Sequence, residues 1–231
     1  ASAAGPIVYR GPPSGGGQQQ LVWFDRFGNE TAKVVYPNTG GLGASLSRDG
    51  RAISMFKYTD GNMDIWSFEI ERRVWNRITS DSGDDIFPVW SPNGHSIVFG
   101  SNRPVGGKGG IQNLYRKLVG GAPGSEELLL ESPQIKFATD WSPDGRYIIY
   151  RTGANTNTIY ALPLFGDRKP FPVIESEFNK DGSHLSFDSA WLAYNAIESG
   201  VSQVYVVSFP KPDQKRQISI NGGVQARWRK D

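Results

Sequence analysis

A turn that returns along the chain constrains it more than any other feature. Asp140-Trp141-Ser142-Pro143-Asp144-Gly145 leads into the apolar run Tyr147-Ile148-Ile149-Tyr150, and Val89-Trp90-Ser91-Pro92-Asn93-Gly94 leads into Ser96-Ile97-Val98-Phe99. Weaker copies are Ser45-Leu46-Ser47-Arg48-Asp49-Gly50 before Ala52-Ile53-Ser54-Met55, and His184-Leu185-Ser186-Phe187-Asp188 before Trp191-Leu192-Ala193-Tyr194. The segment Arg227-Trp228-Arg229-Lys230-Asp231 stops in the same register, so the anchors Asp49, Asn93, Asp144, Asp188 and Asp231 stand 44, 51, 44 and 43 residues apart. Proline presets φ at the second turn position, Asp or Asn tolerates the third, and glycine accepts the positive φ that follows. Apolar residues on either side then pair as two antiparallel strands.

A second landmark follows each hairpin, an apolar residue plus an aromatic: Val22-Trp23, Ile65-Trp66, Leu114-Tyr115, Ile159-Tyr160 and Val204-Tyr205. These read as third strands, and residues 33–36, 77–79, 127–130, 172–174 and 217–220 as fourth strands. Four short antiparallel strands per period predict an all-β chain, a single five-bladed β-propeller over residues 1–231. The blades are expected at 42–80, 86–131, 137–175 and 183–220, with a fifth made of 224–231 plus 7–37. Residues 7–10 look like a second strand with no turn motif before them, and 224–231 look like a first strand without its hairpin partner. A blade cannot bury both faces alone. The C-terminal strand carrying Trp228 is therefore expected to pair with residues 7–10 and close the ring as a monomer. Trp66, Trp90, Trp141 and Trp228 are read as packing between blades.

Composition removes several alternatives. Hydrophobic residues at 38% and aromatics at 12% suit a globular chain, while 28 glycines and 15 prolines suit frequent turns. The absence of cysteine excludes disulfides, thiolate metal sites and a cysteine nucleophile. Lys+Arg 25 against Asp+Glu 23 is nearly balanced, and the basic clusters are short, so no nucleic-acid partner is expected. No stretch approaches the ~18 apolar residues of a membrane helix, so no membrane insertion is expected.

The Trp-Ser-Pro-Asp-Gly hairpins followed by Ile-Tyr or Ile-Trp strands resemble the TolB-type propeller repeat, also called the WD40-like or PD repeat. The likeness is strongest over residues 85–152 and degraded at Asp188-Ser189, where proline and glycine are both lost. Residues 21–28, 128–132 and 162–170 further resemble the propeller region attached to bacterial serine/threonine protein kinases. The resemblance implies a sensory or protein-interaction module, a periplasmic or other extracytoplasmic setting, and a propeller that continues past the end of this chain. Nothing in the chain resembles the kinase's own Gly-rich or catalytic loops.

Candidate chemistry is sparse. Two isolated histidines, His95 and His184, do not make a catalytic zinc set, and no Gly-x-Ser-x-Gly elbow occurs. Gly-rich residues 11–17 and 106–110 lead into no Gly-Lys-Ser/Thr helix and read as loops, with 11–20 expected to be mobile. A glycosidase needs two facing carboxyl groups. Among the expected inner strands only Asp140 is acidic, with Asp84, Asp85 and Asp181 in the preceding loops. Neither a cofactor nor a metal is expected. The reading is a non-catalytic module binding a protein, a peptide or a small polar ligand at the channel mouth, through Asp85, Phe87, Lys136, Phe137, Asp140, Asn179, His184, Gln225 and Arg227. A hydrolase using loop carboxylates or serines, and a purely structural unit, remain the alternatives.

Overall fold

The computed structural model describes residues 7–10, 20–25, 27–35, 42–107, 109–153 and 158–229. Its strands form five antiparallel sheets, each a meander in chain order. Sheet I holds β1 (Ile7–Arg10), β2 (Gln20–Phe24) and β3 (Glu30–Val35), and sheet II holds β4 (Leu42–Leu46), β5 (Ala52–Thr59), β6 (Asn62–Glu69) and β7 (Val74–Arg77). Sheet III holds β8 (Asp85–Trp90), β9 (Ser96–Ser101), β10 (Asn113–Leu118) and β11 (Glu127–Leu130). Sheet IV holds β12 (Lys136–Trp141), β13 (Tyr147–Thr152), β14 (Thr158–Pro163) and β15 (Phe171–Ile174). Sheet V holds β16 (Lys180–Leu185), β17 (Trp191–Ala196), β18 (Gln203–Ser208) and β19 (Lys215–Gln217). In sheets II to V the strand roles inferred from the repeat are those observed. Residues 7–10 do pair as a second strand with β2.

The hairpin that starts each blade is held by side chains as much as by backbone preference. In sheet II the Ser47 hydroxyl donates to Asp49 Oδ1 at 2.7 Å and accepts from Ala52 N–H at 2.9 Å, while Arg51 N–H donates to Asp49 at 3.0 Å. The same three bonds recur at Ser91/Asn93, Ser142/Asp144 and Ser186/Asp188. The last of these has neither proline nor glycine, and Ser189 takes φ +57° where the other turns have glycine. Serine and the acid or amide two residues on are therefore the working part of the motif.

The third-strand aromatics stack across the ladder on second-strand aromatics. Phe99 on Tyr115, Tyr150 on Tyr160 and Tyr194 on Tyr205 lie at centroid distances of 6.2, 5.4 and 5.6 Å. Trp66 departs from the expected role. It lies on the third strand, half-buried under the Lys57 ammonium at 3.6 Å, whereas Trp90 and Trp141 sit on inner strands and are buried between sheets. Two fourth strands lie earlier than expected, because one carbonyl ends each ladder by taking two donors. Ile65 C=O accepts from Ile78 and Thr79 N–H, and Val204 C=O from Ile218 and Ser219 N–H.

The core lies in the seams between neighbouring sheets. Leu21 and Trp23 of sheet I pack on Ile53 and Met55 of sheet II. Phe56, Ile65 and Ile78 of sheet II pack on Trp90, Ile97, Phe99 and Tyr115 of sheet III. Similar clusters join sheet III to IV and sheet IV to V. Each fully buried aliphatic side chain contributes about 1.5–3 kcal/mol of gross stabilisation. Among the described residues, 224–229 form no ladder with β1, so the expected closing pair is not among the observed ones.

Candidate functional site

The inner strands β4, β8, β12 and β16 do not hydrogen-bond to one another as ladders, and each breaks register with its partner at one point. The break begins six residues before the anchor at Gly43, Phe87 and Gly182, and one residue later, at Thr139, in sheet IV. The fifth equivalent is Gln225. Gly43, Phe87, Gly182 and Gln225 all have positive φ, between +52° and +62°. A second-strand residue fills the kink from above. A Cβ on Gly43 would come within 2.7 Å of the Phe56 ring, and one on Gly182 within 2.6 Å of Asn195 Oδ1. In sheet III the sizes are exchanged, with Phe87 at the kink and Gly100 on the second strand.

This exchange makes an aromatic shelf beside the kink. Phe87 lies 5.2 Å from Phe56 and edge-on to Phe137 at 5.1 Å, and the Arg151 guanidinium sits 4.5 Å from the Phe137 centroid. Arg151 also pairs with Asp181 at 3.2 Å. Arg151 was not singled out from sequence. The signal was its place in the repeat, equivalent to Phe56, Gly100 and Asn195, seven residues after the anchor.

Two residues beyond the kink, the equivalent positions are Ser45, Val89, Asp140, His184 and Arg227. Asp140 Oδ2 accepts from Leu185 N–H of the next inner strand at 2.7 Å, and Asp140 Oδ1 stands 3.9 Å from His184 Nδ1. Thr139 and Ser183 bridge the same two strands through hydroxyls 2.7 Å apart. Burial lowers the His184 pKa, Arg227 lowers it further, and Asp140 opposes both. The Trp228 indole donates to His184 C=O at 2.8 Å, as the Trp90 indole, three periods earlier, donates to Ser45 C=O at 3.1 Å. At the hairpin end, Arg48 of sheet II donates to Trp141 C=O of sheet IV and lies 5.4 Å from the Phe187 ring of sheet V. The hairpin ends of sheets II, IV and V therefore lie close together.

Two of the nominated residues are buried and engaged inside the protein. Asp85 is fully buried, bonded to Arg103 at 3.0 and 3.2 Å, and burial raises its pKa to about 6 against the pull of Arg103. Arg103 also pairs with Glu126, which holds Lys117 at 2.6 Å. Lys136 is buried, and its ammonium donates to Asn113 Oδ1, Ser132 C=O and Gln134 C=O at 2.7–3.0 Å. Burial lowers its pKa to about 8. Lys180, at the equivalent position of sheet V, is caged in the same way by Ser176 and Phe178, four and two residues before it. Both residues at this position are excluded from solvent because it precedes the kink and points back into the blade. Asn179 is exposed, and its carbonyl accepts from Ile197 N–H. Gln225 N–H donates to Asn195 Oδ1 at 3.4 Å. The structure thus brings together Phe87, Phe137, Asp140, His184, Gln225 and Arg227, and adds Arg151 and Asp181. Among the described residues no group of three or more His, Asp or Glu stands ready to hold a metal ion.

No protein-family model matches the chain. Among curated proteins, the Tol-Pal system protein TolB of Helicobacter pylori is 31% identical over 88 residues, which is 38% of this chain and 20% of that protein. Among solved structures, TolB from Acinetobacter baumannii superposes with a TM-score of 0.74 at 20% identity, covering 96% of this chain and 53% of that one. Oligogalacturonate lyase from Vibrio parahaemolyticus superposes with a TM-score of 0.64 at 12% identity, covering 94% of this chain and 62% of that one. The chain thus spans a fifth of the curated relative and about half of the Acinetobacter protein. Its repeat and fold are those of a TolB-like β-propeller, an architecture that also serves an enzyme.

Proposed function

We propose that this chain is a non-catalytic binding module that takes a protein segment, or a small polar ligand, at the channel mouth. The carrying observation is the shelf of Phe87 and Phe137 beside the charged row Asp140, His184 and Arg227, which offers apolar contact and both signs of charge over a short span. The carboxylates nearby are already engaged. Asp140 is held by Leu185 N–H, Asp181 by Arg151 and Asp85 by Arg103, which leaves these three less available as the paired acid and base that glycoside hydrolysis needs. The Helicobacter relative is named as a component of the Tol-Pal system. From that name only the expectation of a protein partner is carried over.

The test is capture from a bacterial lysate with the intact chain, repeated with Phe137→Ala and Arg227→Ala. Both substitutions should weaken retention of whatever is captured about tenfold or more, in line with the loss of an anchor contact. Retention unchanged by either would sink the placement of the site. Turnover in a panel of chromogenic esters and glycosides, abolished by changing Asp140 or Ser183, would instead favour a hydrolase.

The same reading includes ring closure, with residues 224–229 as the inner strand of the first blade, pairing with β1. It is supported by the Trp228 bond to His184, which repeats the Trp90 bond to Ser45, and by the positive φ of Gln225, shared with Gly43, Phe87 and Gly182. Removal of residues 222–231 should lower Tm by about 5–10 °C in one cooperative transition. Unchanged melting would count against closure.

A further inference from the structure

The seams between sheets are filled differently at the hairpin end. In the seam of sheets IV and V that place holds rings, with Tyr147 edge-on to Phe209 at 5.1 Å and to Phe171 at 6.2 Å. The repeat gives their counterparts in the seam of sheets II and III. Tyr147 and Ala52 each stand three residues after an anchor, and across the ladder they meet Pro163 and Glu69 respectively. Phe171 pairs with Ala161 as Asn76 pairs with Ser67. Phe209 N–H donates to Ala190 C=O as Val119 N–H donates to His95 C=O. The rings of one seam are therefore an alanine, an asparagine and a valine in the other. In the seam of sheets III and IV the counterparts are Ser96, Glu127 and Leu164, and Arg116 engages Glu127.

Ala52, Asn76 and Val119 all line a cavity of about 450 Å³ in the seam of sheets II and III. That volume falls within the range of ligand sites, about 300–1,000 Å³. Ile78 and Trp90 give it apolar walls, and the Trp90 indole is fixed by its bond to Ser45 C=O. Its rim is open to solvent. Val119 is 38% exposed there, whereas Phe209 in the filled seam is 8% exposed. The polar lining differs too: where sheet IV has Ala161 and Pro163, sheet II has Ser67 and Glu69, and both line the cavity. The Glu69 carboxylate accepts from Asn76 Nδ2 at 3.0 Å and from Arg72 at 3.2 Å, two of the roughly four bonds that a carboxylate can accept.

We propose that this cavity is a socket for the tyrosine side chain of a partner protein, its ring seated where the seam of sheets IV and V seats rings of its own. The ring rests on Ala52, Ile78 and Trp90, and the phenolic O–H donates to Glu69. A ring fits the gap because the repeat fills the same place with rings when the chain supplies them itself. A phenol fits better than a phenyl, because a hydroxyl and a carboxylate replace the alanine and proline, and a charged acceptor makes the stronger bond. Asp49 and Arg51, both exposed, line the rim and offer charge of each sign to the flanking residues of the partner. The socket lies at the turn end of the inner strands, and the shelf of Phe87 and Phe137 lies at their kinks. The two sites are separate, and the socket stands without the reading of the shelf.

The probes are N-acetyl-tyrosinamide and N-acetyl-phenylalaninamide at millimolar concentration, titrated into the intact chain and followed by NMR. Saturable shifts should appear at the methyl groups of Ala52, Ile78 and Val119. The tyrosine amide should bind about threefold or more tightly than the phenylalanine amide, the difference one hydrogen bond makes. In Glu69→Gln that preference should shrink toward parity while the ring still binds. Ala52→Tyr combined with Val119→Phe supplies rings as in the filled seam, so it should abolish the shifts and raise Tm by about 2–4 °C. The socket is overturned if these methyl groups do not respond, if the shifts centre on Phe137, or if the two amides bind the wild type alike. It is also overturned if p-cresol binds and the tyrosine amide does not, since the site would then serve a small free phenol.

Discussion

Two isoleucines in the same place of the repeat meet opposite surroundings. Ile78, after β7, and Ile218, after β19, each donate N–H to a third-strand carbonyl, and each precedes a hydroxyl residue whose oxygen accepts from that strand's N–H. Ile78 is 7% exposed, because sheet III covers it with Trp90, Ile97 and Tyr115. Ile218 is 60% exposed, and Ile220 and Val224 beside it are 80% and 62% exposed. The local structure is the same, so the difference comes from the next blade alone. A propeller blade is finished by its neighbour, and among the described residues this face of sheet V is not covered as sheet III covers sheet II.

The sharpest way to probe that contrast is Ile78→Asp, which buries a charge in the seam between sheets II and III. It should cost about 3–5 kcal/mol in chemical denaturation. A cost under about 1 kcal/mol would mean that the seam is not packed as described. Beside the same seam, Asp85 gives a pH signature. Its pKa is about 6 in the fold and near 3.9 when unfolded, so between those values the folded state binds more protons. Its contribution is full below about pH 4 and is lost as pH rises through 6. The stability of the wild type relative to Asp85→Asn should therefore fall, by on the order of 2 kcal/mol, as pH is raised from 4 to 6. A difference that is flat with pH would place Asp85 outside the buried network with Arg103. The smallest effect belongs to the open end. Ile218→Asp should cost about 1–2 kcal/mol if sheet I seats over it on closure, and a change within about 0.5 kcal/mol would show that the face stays uncovered.

Much of the architecture was legible because it is local. Turn chemistry at Ser142-Pro143-Asp144-Gly145 and alternation in runs such as 159–164 depend on residues near in sequence, so strand roles could be read without knowing their neighbours. The degraded turn at 186–189 shows where that reading was coarse. Proline and glycine are the conspicuous residues of the motif, whereas the serine and aspartate carry the hydrogen bonds. The site was half legible. Phe87, Phe137, Asp140, His184 and Arg227 follow from counting back from the anchors, but Asp85 and Lys136 occupy equivalent steps of the same strands and turn inward.

The sequence by itself determined the period, the hairpins and the order of strands within each sheet, since these follow from φ preferences, side-chain capping and two-residue alternation. Only the tertiary structure decided which side of the inner-strand kink faces the axis, which charges are consumed in buried pairs, and which apolar faces are covered. Those outcomes depend on residues some 45 positions away on the adjoining blade, whose distance and orientation no local pattern encodes.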